Sequence, residues 1–163
     1  MFKGLEDIFQ FLWRHANTSI INNQQSRMFV TAFIAYIDGD SGIVEFANCG
    51  HNPTLLYHAA TGEIEYIHVP GVAMGVFPTA VYDEGELQLD AGDILVLYTD
   101  GITEAINTED DEFGEERLER IILESAEQSA QAISDAIVAS VKRHCGAQAA
   151  FDDETLVVIK RTG

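Results

Sequence analysis

Two aspartate clusters stand out for where they fall in the chain. The first is Leu95-Val96-Leu97-Tyr98-Thr99-Asp100-Gly101, which delivers Asp100 at the C-terminal end of an apolar run. Gly101 lets the backbone turn sharply beside it. The second is Phe151-Asp152-Asp153-Glu154-Thr155-Leu156-Val157-Val158, which sets two aspartates just ahead of another apolar run. If both runs are strands lying antiparallel as neighbours, the end of one falls beside the start of the other. Asp100 and Asp152 would then share one sheet edge. Carboxylates brought together raise each other's pKa unless a cation neutralises them. A donor set of oxygens alone suits Mg2+ or Mn2+. The same letters also serve without a ligand, because Asp-Gly after a strand is a common turn and Asp-Asp can cap a neighbouring segment.

Ala47-Asn48-Cys49-Gly50-His51-Asn52-Pro53 is a third signal. His51 beside a glycine turn is a candidate general acid or phosphate contact. A turn residue bonded to backbone accounts for it equally simply. His15, His58, His68 and His144 show no ligand spacing with one another or with the cysteines, which argues against zinc. Cys49 carries no sequence sign of activation as a nucleophile. Asp38-Gly39-Asp40-Ser41-Gly42 imitates a calcium loop only in its first letters. The twelfth position is Cys49 where an acid is needed, so the segment reads as a hairpin turn. Glu109 to Glu119 packs seven acids into eleven residues. These suit a solvated entry to a helix, where the dipole favours negative charge, or a contact with a basic partner.

The elements that must carry these residues follow from periodicity. Leu5 to Ile21 is predicted as an amphipathic helix, with Leu5, Ile8, Phe9, Leu12 and Trp13 on one stripe. Met28 to Ile37 is apolar almost without a break, which predicts a central strand covered on both faces. Asp38–Gly42 turns it into a second strand, Ile43 to Cys49. Thr54 to His58 and Ile64 to Val69 form another pair around Thr61-Gly62. Val81 to Asp90 alternates, with Leu87 and Leu89 inward, as a strand with one wet face does. Ile94 to Tyr98 is again continuous. Two helices follow, over Glu115 to Glu124 and Ser129 to His144, with Ser129 or Ser134 as cap and Gly146 as stop. Thr155 to Ile159 closes the chain as a strand. Hairpins dominate, so the expected fold is α+β, a sandwich of two mainly antiparallel sheets flanked by helices.

The chain has 163 residues, within the range of one domain. Its 9 Lys+Arg against 27 Asp+Glu leave a formal charge of −18. That balance argues against nucleic acid, which needs a basic patch, and against anionic membranes. No apolar run reaches the roughly 18 residues of a transmembrane helix. The N-terminus lacks the apolar core of a signal peptide, and Cys49 and Cys145 are too few for a disulfide framework. A cytoplasmic, reduced setting is the simplest expectation.

Taken in order, the motifs resemble a known family. They are Met28-Phe29-Val30-Thr31-Ala32-Phe33, Ala47-Asn48-Cys49-Gly50-His51-Asn52-Pro53, Gly75-Val76-Phe77, Leu97-Tyr98-Thr99-Asp100-Gly101-Ile102-Thr103-Glu104-Ala105, Phe113-Gly114 and Asp152-Asp153-Glu154-Thr155-Leu156-Val157-Val158. The series resembles the PPM-type metal-dependent serine/threonine protein phosphatases, in the bacterial branch typified by the stage II sporulation protein E and the sigma-B regulator phosphatases. The resemblance runs from about Leu5 to Lys160 and is carried by the order of the motifs. It implies an αββα sandwich with a two-metal Mn2+ or Mg2+ centre at one edge, where a metal-activated water attacks phosphorus. It implies a phosphoserine or phosphothreonine substrate on a small regulatory protein, such as an anti-sigma factor antagonist. Asp100 matches a family metal ligand, with the Gly101 backbone beside it. Asp152 matches a second ligand of the same metal, and Asp153 a supporting neighbour. His51 falls in a family motif with no assigned catalytic part.

One departure qualifies these matches. The family's Asp-Val-x-Gly-His/Lys-Gly motif, whose acid helps bridge two metals, has no counterpart here, since Glu6 and Asp7 are the only acids before Met28. The expectation is therefore the C-terminal portion of a PPM-type domain over 1–163, incomplete at its N-terminus. It would hold at most one metal, weakly, and hydrolyse slowly or not at all. Exposed sheet edges would invite a homodimer. Two other readings stay open: a pseudophosphatase that binds a partner without hydrolysing it, and an unrelated acidic β-rich binding domain.

Overall fold

The computed structural model describes residues 29–77, 80–146, 148 and 153–163. The helix expected over Leu5–Ile21 and the aspartate Asp152 lie outside the described residues. Among the described residues there are seven strands: β1 (Ala32–Ile37), β2 (Ile43–Cys49), β3 (Thr54–His58), β4 (Glu63–Ile67), β5 (Glu84–Gln88), β6 (Ile94–Tyr98) and β7 (Leu156–Lys160). Three helices among the described residues accompany them: α1 (Asp100–Thr103), α2 (Glu115–Ser125) and α3 (Ala130–Cys145). The strands form two sheets, β1-β2-β5 and β4-β3-β6-β7. Every strand pairing within them is antiparallel. This is the α+β class expected, two antiparallel sheets with helices.

The described chain divides into two compact units. One joins the described residues up to His51 with His68–Leu89 and holds the three-stranded sheet. Asp38 sets its first hairpin. The Asp38 carboxylate accepts from the backbone N–H of Asp40 (2.9 Å) and Ser41 (3.3 Å), and these bonds lower its pKa. β2 lies in the middle and is the buried strand, with Val44, Phe46, Ala47, Asn48 and Cys49 all inside. The expectation of a central, doubly covered Met28–Ile37 is corrected here. Among the described residues β1 begins at Ala32 and sits at the sheet edge, with Tyr36 44% and Ile37 36% exposed. A continuous apolar run signals apolar side chains, not which strand is paired on both sides. Phe33 still packs, stacking on Phe46 with ring centroids 5.2 Å apart.

The second unit joins Asn52–Ile67 with Asp90–Gly163. β6 is one of its two inner strands, paired with β3 and β7, and its unbroken apolar sequence is buried except for half-buried Leu97. Leu118 and Ile122 of α2, and Ile133, Ile137 and Val141 of α3, are fully buried. They cluster with Leu55, Ile94, Val96 and Tyr98 from the sheet. Ser129 caps α3, its hydroxyl accepting from the N–H of Ala132 at 3.2 Å, and Gly146 ends it at φ 61°. Past the end of α2, the Lys160 ammonium donates to the carbonyls of Ala126 (2.6 Å) and Gln128 (2.9 Å). A cation there suits the negative end of the helix dipole. Buried Asp93, just ahead of β6, accepts from the N–H of Ala59, just past the end of β3, and of Asp90.

Candidate metal centre

The edge that carries Asp100 is built by β6 and β7. Their register runs from Ile94↔Lys160 to Tyr98↔Leu156, so the end of β6 lies beside the start of β7. The pairing continues past the strands through Thr99. Its N–H donates to the Thr155 carbonyl at 3.0 Å. Its hydroxyl donates to the Asp153 carbonyl at 2.9 Å and accepts from the Thr155 N–H at 2.9 Å. Thr99 therefore pins the Asp153-Glu154-Thr155 backbone one residue away from Asp100. Sequence reasoning passed over this threonine. No local signal marks it, because its bonds join residues 54 and 56 positions apart.

Asp100 itself is exposed and opens α1. One carboxylate oxygen accepts from the Gly101 N–H at 3.0 Å, and its carbonyl accepts from the Glu104 N–H at 2.7 Å. The carboxylate keeps further lone pairs for a ligand. Gly101 is buried, and its N–H is taken up by Asp100. Asp153 is exposed, and its main-chain carbonyl accepts from the Thr99 hydroxyl. Among the described residues no group of three or more His, Cys, Asp or Glu converges as a metal cage. The donors at this edge are oxygens, the chemistry that a hard divalent cation prefers. No Lys or Arg occurs in the sequence between Phe29 and Glu116.

His51 belongs to the other unit. Its N–H donates to the Asn48 side-chain oxygen at 2.7 Å, and the Asn48 amide donates back to the His51 carbonyl at 3.1 Å. The motif is thus a turn clipped by a buried asparagine. The chain 71–73 runs close against it. A Cβ on Gly71 would stand 1.8 Å from the Asn48 carbonyl oxygen, and one on Gly50 (φ +74°) 2.7 Å from the Ala73 nitrogen. The close approach explains why glycine occupies both places. Cys49 is fully buried, which pushes its thiol up to about 11 and leaves no thiolate for nucleophilic work at neutral pH.

Two antiparallel sheets with helices match the fold of solved PP2C phosphatase domains, among them the SiaA-PP2C domain of Pseudomonas aeruginosa, with a TM-score of 0.72 at 19% identity, covering 91% of this chain and 58% of that one. The manganese-presoaked phosphatase domain of SpoIIE from Bacillus subtilis superimposes with a TM-score of 0.66 at 17% identity, covering 92% of this chain and 73% of that one. Residues 7–162 match the model of the stage II sporulation protein E (SpoIIE) family, and the chain belongs to that family. Protein IcfG of Synechocystis sp. is 29% identical over 134 residues, which is 82% of this chain and 21% of that protein. The phosphoserine phosphatase RsbU of Bacillus subtilis is 28% identical over 148 residues, 91% of this chain and 44% of RsbU. The chain thus spans less than half the length of these two relatives. Among the described residues no helix is long and apolar enough to cross a membrane.

Proposed function

We propose that the chain supplies part of a protein serine/threonine phosphatase site, acting on phosphoserine or phosphothreonine of a regulatory protein such as an anti-sigma factor antagonist. Asp100 and Asp152 ligate one Mn2+ or Mg2+ ion, the Gly101 backbone lies beside it, and Asp153 supports it. The observation that carries this reading is the β6–β7 register with its Thr99 clamp, which sets Asp100 next to the backbone leading to Asp152. When bound, a divalent cation lowers the pKa of water and neutralises phosphoryl oxygens. The chain's own residues do the rest. Asp100 presents an exposed carboxylate whose direction is fixed by the Gly101 N–H. Thr99 holds the second acidic segment in register. The RsbU likeness supports the substrate class. The His51 main chain holds its turn through Asn48.

With one carboxylate pair, the isolated chain binds a single cation weakly and hydrolyses p-nitrophenyl phosphate near background with Mn2+. Rapid turnover that vanishes in Asp100→Asn would contradict the weak-activity part of this reading. The phosphatase part is tested by joining a family segment with the Asp-Val-x-Gly motif ahead of Met28. Mn2+-dependent hydrolysis of a phosphoserine peptide is then expected, and lost again in Asp100→Asn. A folded chimera that binds the peptide without hydrolysing it would favour a pseudophosphatase.

A further inference from the structure

The described cations are few and unevenly placed: Arg117, Arg120, Lys142, Arg143, Lys160 and Arg161, all after Glu116. Three of them, Arg117, Arg120 and Arg143, line one groove of about 460 Å³ between α2 and α3, with Gln128, Ser140 and Glu124. Helical spacing builds it. Arg117, Ile121 and Glu124 follow one another by four and three residues on α2, as Ala136, Ser140 and Arg143 do on α3. The faces that enter the core belong to other residues, Leu118 and Ile122 on α2 and Ile133, Ile137 and Val141 on α3. Small side chains at Ala136 and Ala139 leave the groove open.

Second, the guanidinium groups keep most of their donors. Arg117 uses Nη1 on the carbonyls of Glu112 (2.8 Å) and Phe113 (2.6 Å), with its remaining N–H groups left over. Neither Arg120 nor Arg143 forms an ion pair or side-chain hydrogen bond with another described residue, in a chain with 27 acids. Glu124 is the acid that lines the groove, against three arginines. The lining carries a positive excess on a strongly negative molecule. Guanidinium forks match phosphate oxygens two at a time, which a lysine cannot do. The volume is that of a small-ligand cleft.

We infer that the α2–α3 groove binds a phosphate monoester group through Arg120, Arg143 and the free donors of Arg117. This site shares no residue with the Asp100 edge and does not rest on the phosphatase reading. The probes are free O-phosphoserine and a glycine heptapeptide with a central phosphoserine, titrated in EDTA into the 15N-labelled chain. Saturable shifts of the Arg120, Ser140 and Arg143 amides are expected, with a Kd on the order of 1 mM. Tighter binding of the peptide assigns the phosphate to a polypeptide; equal binding assigns it to a small molecule. The exposed double variant Arg120→Ala/Arg143→Ala should weaken binding about tenfold, and Arg120→Lys/Arg143→Lys by a smaller factor, because only the fork is lost. Asp100→Asn should leave it unchanged. Shifts that do not saturate, that chloride reproduces at matched ionic strength, or that persist in a folded double-alanine variant would overturn the assignment.

Discussion

The two units of the molecule use similar strands differently. In the unit with β1, β2 and β5, the sheet keeps an exposed apolar edge strand, and its main-chain loops are locked by Asn48 and by glycines 50 and 71. In the unit with β3, β4, β6 and β7, a helical hairpin covers the sheet, and Phe113, Leu118, Ile122, Ile133 and Ile137 are wholly removed from solvent. The first depends on close backbone fit, the second on buried side-chain volume. The candidate metal edge and the arginine groove both belong to the second. Groups that must hold a charge in place are carried by the better packed scaffold.

The sharpest test sets a fully buried position of the second unit against an exposed one of the first. Ile137→Ala removes a fully buried side chain and should cost about 2–5 kcal/mol in denaturant unfolding. Val81→Ala, at a position 86% exposed, should stay within about 0.5 kcal/mol. Similar losses from both would deny the difference. Alkaline pH comes next. Burial raises the pKa of Cys49 to about 11 and also raises those of Tyr66 and Tyr98, each beside a glutamate of α2. The neutral forms favour the fold, so the Cys49 share is complete below the unfolded thiol's pKa of about 8.5 and is lost as pH rises towards about 11, while the tyrosine share begins to be lost only above about pH 10. For Cys49 alone the loss is on the order of 3 kcal/mol. Cys49→Ala should remove that share of the alkaline decline; an unchanged pH profile would contradict the cause.

Gly71→Ala tests the backbone fit of the first unit and should destabilise by about 1–3 kcal/mol, since the new Cβ meets the Asn48 carbonyl. Full stability by thermal melting would show that the loop has room to move. Smallest is Lys160→Met, which takes the ammonium from two carbonyls beyond α2 and should cost about 1 kcal/mol.

Much of this architecture could be read from the letters. Leu87 and Leu89 alternate with polar neighbours, and Ile94–Tyr98 does not, and those patterns reported one wet face and none. Ser129 and Gly146 marked the ends of α3 because capping chemistry is local. Pairing is not local, which is why Met28–Ile37 suggested a central strand while the described β1 stands at an edge. At the candidate site, Asp100 was readable as an acid at a strand end. The Thr99 clamp was not, because it joins residues 54 and 56 positions apart. The arginine groove was hidden for the same reason, its two walls lying on different helices.

Manganese binding, followed by the loss of the free-ion electron paramagnetic resonance signal, tests the Asp100–Asp152 pairing without requiring turnover. The chain should take up one Mn2+ weakly, and Asp100→Asn and Asp152→Asn should each abolish uptake, while Asp110→Asn in the acidic turn should not. Uptake that survives both of the first two variants, or that falls equally in the third, would contradict a shared cation at the β6–β7 edge.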